Sequence, residues 1–352
     1  MSDASLPLKF ALLGAGFWAR YQLAAWQEVA GAQCVAIYNR TLAKAQRLAH
    51  EFGVPCATDD LKMLLRPGQL DFVDIVTDLA SHPHLVQRTA ECGLAVICQK
   101  PLAASLAEAE QMVAACRQAG VPLLVHENWR WQRPIRAVAA ALARGAIGRP
   151  FRARIDMISG FPVFQNQPFL RDLEQFILTD LGTHILDVAR FLFGEASSVY
   201  CQTHHVHPDI RGEDVATVVT RHGAEPTTVV CNLAYAENHL ERECFPQTLL
   251  FIEGSAGSLE LLPGYELRTT TAQGTVRSVH PPAPYSWVDP AYAVVQSSIV
   301  DCHRDLLRGL RDPQHVPETT GDDNLRTLRL VFTAYESAAT SQAIRLRGDA
   351  DV

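Results

Sequence analysis

No stretch of this chain stays apolar for the roughly 18 residues that a membrane-spanning helix needs, and residues 1–10 lack the long apolar core of a secretion signal. Positive charge is in deficit: 31 lysines and arginines stand against 38 acids, a formal net charge of −7. That speaks against a nucleic-acid surface, which needs a basic face. The nine cysteines include no C-x-x-C pair, so a zinc or dithiol redox motif has no support, and the scattered thiols read as reduced and mostly buried. No internal repeat or low-complexity linker interrupts the chain. What remains is a cytoplasmic globular protein, and 48% hydrophobic with 20% charged residues is the composition of one. At 352 residues it is too long for a single ordinary core and suits two domains, divided here as 1–127 and 128–352.

Residues 8–13 are a short apolar run ending at Gly14, the pattern of a buried parallel strand. Gly14-x-Gly16-x-x-Ala19 then opens a helix through Leu23, Ala24 and Trp26. Gly14 permits a tight turn, Gly16 lets the backbone approach a pyrophosphate, and Ala19 is small enough for close packing of helix on strand. The helix N-terminus offers N–H groups and partial positive charge to phosphates. A glycine-rich turn alone is weak evidence, but here a strand precedes it and a helix follows. The second strand, 34–38, leads to Asn39-Arg40-Thr41, where an NAD site commonly has an acid on the ribose 2′-hydroxyl. Asn39 can bond a hydroxyl without repelling a 2′-phosphate. Arg40 can pair with that phosphate, stack on adenine or stay solvated, and Thr41 stands where a cap for a helix over 42–51 belongs. The residues alone leave NAD and NADP open. Strands over 72–76, 94–98 and 122–126 alternate with a helix begun by His82 and His84 and an amphipathic helix over 106–119, which implies a parallel sheet with helices on both faces.

Two places carry chemistry. Gln99-Lys100-Pro101 falls at the exit of the fifth strand, where a lysine would lie beside the nicotinamide end of a bound cofactor and polarise a substrate oxygen while a hydride moves. The segment from Thr179 to Asp187 begins a helix over 180–193 in which Asp180 and His184 are four apart and share a face. Gly182 costs about 1 kcal/mol in a helix relative to alanine, which suggests a close approach at that turn. His184 titrates near neutrality and can take a hydroxyl proton, while Asp180 orients it or bonds a second hydroxyl. The competing reading makes Asp180 a complement to the helix N-terminus and His184 a core residue. Residues 126–131 leave the last strand of the first domain and are expected to border a cleft. There Asn128 and Arg130 would bond hydroxyls and Trp129 or Trp131 would stack on a sugar face, unless the tryptophans only seal an interface. Phe161, Phe164, Gln165, Asn166, Gln167, Arg171 and Asp172 are expected at the pocket rim. His205 and His207 would share one face of a strand, but no second ligand cluster has recognisable spacing, so no metal is assigned.

Beyond Gly148 the pattern is strand-rich: 151–157, 199–203, 216–219, 227–233, 249–253, 258–262 and 265–270. These alternate as a large, mostly antiparallel sheet does, whose open face needs covering. The helix over 180–193 and helices near 290–310 and 323–341 are expected on one face, and a second subunit, in a dimer or tetramer, on the other. The fold class expected is therefore α/β, a Rossmann dinucleotide-binding domain followed by an α+β domain with an open sheet.

Together these landmarks resemble the glucose-fructose oxidoreductase/inositol dehydrogenase (Gfo/Idh/MocA) family over nearly the whole chain. The resemblance rests on Gly14-Ala15-Gly16, on Gln99-Lys100-Pro101 where the family has Glu-Lys-Pro, on Asp180-x-x-x-His184, on Thr77 with His82, on Asn128-Trp129-Arg130, and on Thr319-Thr320-Gly321 before the closing helix. It implies an NAD(P)-dependent oxidoreductase of sugars or polyols, with oligomers formed through the sheet domain. It implies cofactor contacts from Gly14, Gly16, Phe17, Trp18, Asn39, Arg40, Thr77, His82, Gln99, Lys100 and Asn128. Lys100, Asn128, Trp129, Arg130, Asp180 and His184 become the substrate contacts, Lys100 being the substrate-binding cation and His184 the acid/base, with Asp180 beside it. Two residues depart from the family pattern: Gln99 would make a neutral bond to the nicotinamide ribose, and Asn39 replaces a frequent acid. Within the family, residues 16–20, 126–131 and 155–162 resemble dehydrogenases of one aldose, which favours NAD over NADP and oxidation of an aldose to its lactone. Two other readings compete, a non-catalytic nucleotide-dependent sensor on the same fold and a reductase of an imine or enone.

Overall fold

A computed structural model describes residues 6–160, 163–235 and 244–346. They form two compact units, and the boundary falls one residue beyond that read from the sequence. Unit 1 holds the chain through Asn128, with 285–288 and 299–326 returning to it; unit 2 holds 129–284, 289–298 and the remainder.

Unit 1 begins with β1 (Leu8–Leu13), α1 (Phe17–Gln27), β2 (Ala32–Tyr38), α2 (Leu42–Phe52), β3 (Cys56–Thr58), α3 (Leu61–Leu64), β4 (Phe72–Ile75), α4 (His82–Glu91), β5 (Ala95–Gln99), α5 (Leu106–Ala119) and β6 (Leu123–His126). The six strands form one parallel sheet in the order β3-β2-β1-β4-β5-β6. This is the doubly wound arrangement in which ligands bind at the carboxyl ends of the strands. The apolar runs make the strands: Phe10 to Leu13, Phe72, Val73, Val96 and Ile97 are sealed from solvent. Phe10 stacks on Phe72 at 4.9 Å and meets Trp26 of α1 at 5.0 Å. Val125 N–H donates to the Thr319 carbonyl at 2.8 Å, so Thr319-Thr320-Gly321 extends the sheet beside β6. Thr41 sits at the N-cap position of α2 but makes no side-chain capping bond; its carbonyl accepts instead from the Asn39 amide.

Unit 2 contains α6 (Arg133–Ala143), β7 (Pro150–Ile158), α7 (Val163–Asn166), α8 (Thr183–Phe193), β8 (Ala196–His204), β9 (Val215–His222), β10 (Thr227–Ala234), β11 (Leu249–Gly254), β12 (Gly257–Leu262), β13 (Glu266–Thr271) and β14 (Gly274–Val279). The helices α9 (Ala293–Arg311) and α10 (Gly321–Thr340) each contribute to both units, and β15 (Ile344–Arg345) closes the described chain. The nine-stranded sheet runs β14-β13-β12-β11-β7-β10-β9-β8-β15, antiparallel except where β10 lies parallel to β7. One face is apolar and buried, with Ala153, Ile155, Val218, Val229, Cys231 and Ile252 in register, and α6 and α8 pack on its strands. The other face is mixed: Val219, Val230 and Phe251 are half-buried on it beside polar side chains. There Arg154 pairs with Asp156, Asp156 accepts from Asn232, and Asn232 accepts from Thr217.

The helix read over 180–193 is two pieces. Leu178–Gly182 forms a wide turn of π type, and α8 begins only at Thr183. His205 and His207 follow the end of β8 rather than sharing a strand face. The imidazole of His207 bonds Asp214, whose carboxylate also takes the Val206 and His207 N–H groups. Among the described residues no group of three or more His, Cys, Asp or Glu is arranged to hold a metal. None of their helices is long and apolar enough to cross a membrane.

Candidate active site

The turn after β1 shows why its glycines are needed. Gly14 has φ +112°, and a Cβ there would lie 2.0 Å from the Val76 carbonyl oxygen, so only glycine fits. Gly16 is different: a Cβ there meets nothing within 4 Å. Its lack of a side chain serves no contact among the described residues, which leaves close approach by a ligand. Gly16 is the N-cap of α1 and makes no side-chain capping bond, and the positive end of a helix dipole favours an anion there. Ala19 is sealed from solvent, the close packing expected of it. Phe17, 39% exposed, meets Trp18 and Tyr21 at 5.3 Å in edge contacts. At the end of β2, Asn39 Oδ1 accepts the Ala15 N–H at 3.2 Å and its amide donates to the Thr41 carbonyl. Asn39 thus ties the nucleotide turn to the second strand. Arg40 reaches Asp78, Nη2 to Oδ2 at 2.8 Å.

At the neighbouring strand ends, Thr77 Oγ1 accepts from Ser81 Oγ at 2.7 Å. His82 is buried, its Nδ1 3.2 Å from the Leu102 carbonyl. Burial pushes its pKa down against bonds to the carbonyls of Leu102, Thr77 and Pro101. A neutral imidazole therefore fastens the Thr77 loop to the segment that follows Lys100. Gln99 Nε2 is buried with no hydrogen-bond partner among the described residues. An orphaned donor at the exit of β5, a turn that forbids a Cβ at Gly14 and the open space beside Gly16 all fit a dinucleotide.

In unit 2, His184 is 4% exposed at the start of α8. Its ring stacks on Trp129, centroids 4.1 Å apart and planes 26° apart. The indole is fixed in turn by Nε1 donating to Thr248 Oγ1 at 2.8 Å. Asp180 lies in the wide turn, its N–H on the Phe176 carbonyl at 2.8 Å. A Cβ on Gly182 would sit 3.3 Å from the Leu178 side chain, so the close approach inferred there is made by the chain's own preceding turn. Arg130 is committed: its Nε and Nη2 grip Asp187 at 2.8 and 2.5 Å, and Thr327 adds a bond to the same carboxylate. This pair is buried on both sides, and removing one partner of such a pair costs about 3–5 kcal/mol. Arg130 thus anchors the segment that carries Trp129, a role its residue type does not reveal. Asn128 is buried and ends unit 1. Trp131 lies under the Arg136 guanidinium at 3.6 Å.

The expected rim is partly visible. Phe164 is buried, with Arg171 over its ring at 4.6 Å, and Arg171 pairs with Asp209. Gln165 is exposed, and Gln167 and Asp172 lie in the same loop. Phe161 and Pro162, and the side chain of Asn166, lie outside the described residues. Sequence reasoning missed Tyr235. It is buried at the end of β10, and burial, with the charge of Asp180 added, raises its hydroxyl well above the usual range. It also missed Asp78 as the partner of Arg40. An aromatic one residue beyond a strand is the only signal for Tyr235, and no local pattern announces Asp78.

Comparison with known proteins decides the family. Residues 8–127 match the family model described as an oxidoreductase family with an NAD-binding Rossmann fold, and residues 135–260 match the GFO/IDH/MocA C-terminal domain. The chain belongs to the GFO/IDH/MocA oxidoreductase family. It is 43% identical over 339 residues to a D-apiose dehydrogenase of Paraburkholderia graminis, covering 96% of this chain and 90% of that one. To a D-apiose dehydrogenase of Rhizobium rhizogenes it is 42% identical, covering 96% and 97%. An oxidoreductase from Agrobacterium radiobacter, solved with NAD+, L-tartaric acid and magnesium, superposes with a TM-score of 0.93 at 41% identity over 96% of this chain and 98% of that one. The chain is thus an enzyme of the NAD-dependent sugar dehydrogenase family, with the Rossmann domain and sheet domain that its sequence implied.

Proposed function

We propose that this member of the GFO/IDH/MocA family oxidises an aldose of the D-apiose type at its anomeric carbon, giving the lactone. The observation that carries the reading is Lys100 at the exit of β5, one strand from β4, whose following residue, Val76, backs the Gly14 turn. The same reading is supported by the 43% identity to a D-apiose dehydrogenase over 96% of the chain and by the likeness of residues 16–20 and 126–131 to such enzymes.

In this reading NAD would be held by the Gly14–Gly16 turn, Asn39, Thr77 and Gln99 and would supply the hydride acceptor. Lys100 binds the anomeric oxygen and stabilises negative charge as the C–H bond breaks, a form of electrostatic catalysis worth about 10²–10³ in rate per donor. His184 takes the hydroxyl proton, so that the C=O bond of the lactone forms as hydride and proton leave. Trp129 holds the imidazole face in place by stacking on it. Asp180 accepts a bond from a second substrate hydroxyl. The mixed face of the large sheet, with Val219, Val230 and Phe251 on it, meets a second copy of the chain, in a dimer or tetramer. The cytoplasm suits its nine cysteines, which form no disulfide among the described residues.

The test is formation of reduced cofactor from a panel of aldoses and polyols, each with NAD and with NADP. Turnover on D-apiose with NAD is expected. Turnover only on an imine or enone would replace the reading with a reductase, and tight NAD binding with no turnover on any substrate would replace it with a sensor.

A further inference from the structure

Arginine directly after a second strand that ends without an acid is the arrangement expected of a 2′-phosphate site, because guanidinium binds phosphate in a fork. Here Asn39 ends the strand and Arg40 follows. Yet the family fold is NAD-binding, and the Agrobacterium radiobacter relative was solved with NAD+. The ion pair at the strand ends resolves the conflict. β2 and β4 flank β1 on either side, so their carboxyl ends bracket the nucleotide turn. Asp78, three residues beyond β4, reaches Arg40 with Oδ2 2.8 Å from Nη2. The loop that presents it is held by Ser81, whose hydroxyl donates to Thr77 Oγ1 and to the Asp78 carbonyl, both at 2.7 Å.

We propose that Asp78 is the residue that selects NAD over NADP in this protein, by occupying Arg40 and placing a carboxylate where a 2′-phosphate would bind. The inference rests on the NAD-dependent reading above. In most dinucleotide sites the discriminating acid ends the second strand and bonds the ribose diol itself. In this chain that position is a neutral amide already engaged with Ala15 and Thr41, and the negative charge comes from the other side of β1. The pair is exposed, 78% for the Arg40 side chain and 50% for Asp78, so it adds little to stability. Its charges stand 2.8 Å apart, far inside the screening length of about 8 Å at physiological salt. A phosphate arriving on Arg40 must displace the carboxylate and then lie against it. With Asp78 neutral, Arg40 is released as a phosphate donor.

The experiment is equilibrium binding of NAD and of NADP, followed by protein fluorescence, to wild type, Asp78→Asn, Asp78→Ser and the double variant Asp78→Asn/Arg40→Ala, with thermal unfolding of each as a folding control. The expected result is tighter NAD binding by the wild type. In both single variants the ratio of the two dissociation constants should move at least about tenfold toward NADP, a change of about 1.4 kcal/mol. That shift should vanish in the double variant, which lacks the cation. A wild type that prefers NAD but shows the same ratio in both folded single variants would overturn the role of Asp78 and leave the NAD reading standing. A wild type that binds NADP more tightly would overturn both.

Discussion

Asp74 sits in the middle of β4 with no exposed surface. Its Oδ2 accepts the Trp26 indole N–H at 2.8 Å, and its Oδ1 has no hydrogen-bond partner among the described residues. Burial lifts its pKa to about 7, against the lowering effect of the Trp26 bond. The unfolded chain releases this proton near the ordinary value of 3.8, so the folded state binds it more tightly. Its stabilising effect is whole below about pH 4, falls as pH rises toward 7 and stays lost above that. Asp74→Asn keeps the shape and removes the titration. Urea unfolding should therefore show the variant gaining on wild type between about pH 4 and about pH 7; parallel pH profiles would contradict the assignment. Legibility at this scale follows the range of the interaction. Gly14 was readable because a tight turn directly after a buried strand calls for glycine. The Arg130–Asp187 and Arg40–Asp78 pairs join positions 57 and 38 residues apart, and no local pattern encodes them.

The β1–α1 turn is the element on which cofactor binding depends, and its two glycines are there for different reasons. Gly14→Ala drives a Cβ into the Val76 carbonyl at a positive φ, so it should lower the melting temperature and the yield of folded protein together. Gly16→Ala meets nothing within 4 Å. It should fold with a stability within about 1 kcal/mol of wild type, yet bind NAD at least about tenfold more weakly, because the added methyl occupies the approach of the pyrophosphate. Calorimetric melting beside NAD titration separates the two, and equal loss of stability and of affinity in both variants would refute the distinction. Elements with buried runs were the legible ones: α5 spans Leu106–Ala119, as its periodicity required. β14 escaped because all six of its residues are exposed, so no hydrophobic alternation marks it. β3 has three residues, too few for any period. The wide turn at Leu178–Gly182 escaped because its shifted hydrogen bonds leave the spacing of apolar residues nearly unchanged.

At the scale of the whole molecule, the large sheet presents one apolar face to its own helices and one mixed face, where Val219, Val230 and Phe251 stand among ion pairs such as Arg152 with Glu253 and Arg154 with Asp156. Light scattering after size exclusion should report a dimer or tetramer of the 38.7 kDa chain, and replacing Asn232 and Phe251 on that face with lysines should shift it toward monomer. A monomeric wild type would remove the second copy from the account. The chemistry assigned to the molecule depends most on Lys100. The most direct measurement is NAD reduction by D-apiose in wild type and Lys100→Met, with NAD affinity determined on the same samples. A role for Lys100 on the substrate oxygen requires turnover lowered by about 10²-fold or more with the NAD dissociation constant within about threefold of wild type. Turnover within about a factor of ten of wild type, at unchanged NAD affinity, would contradict it.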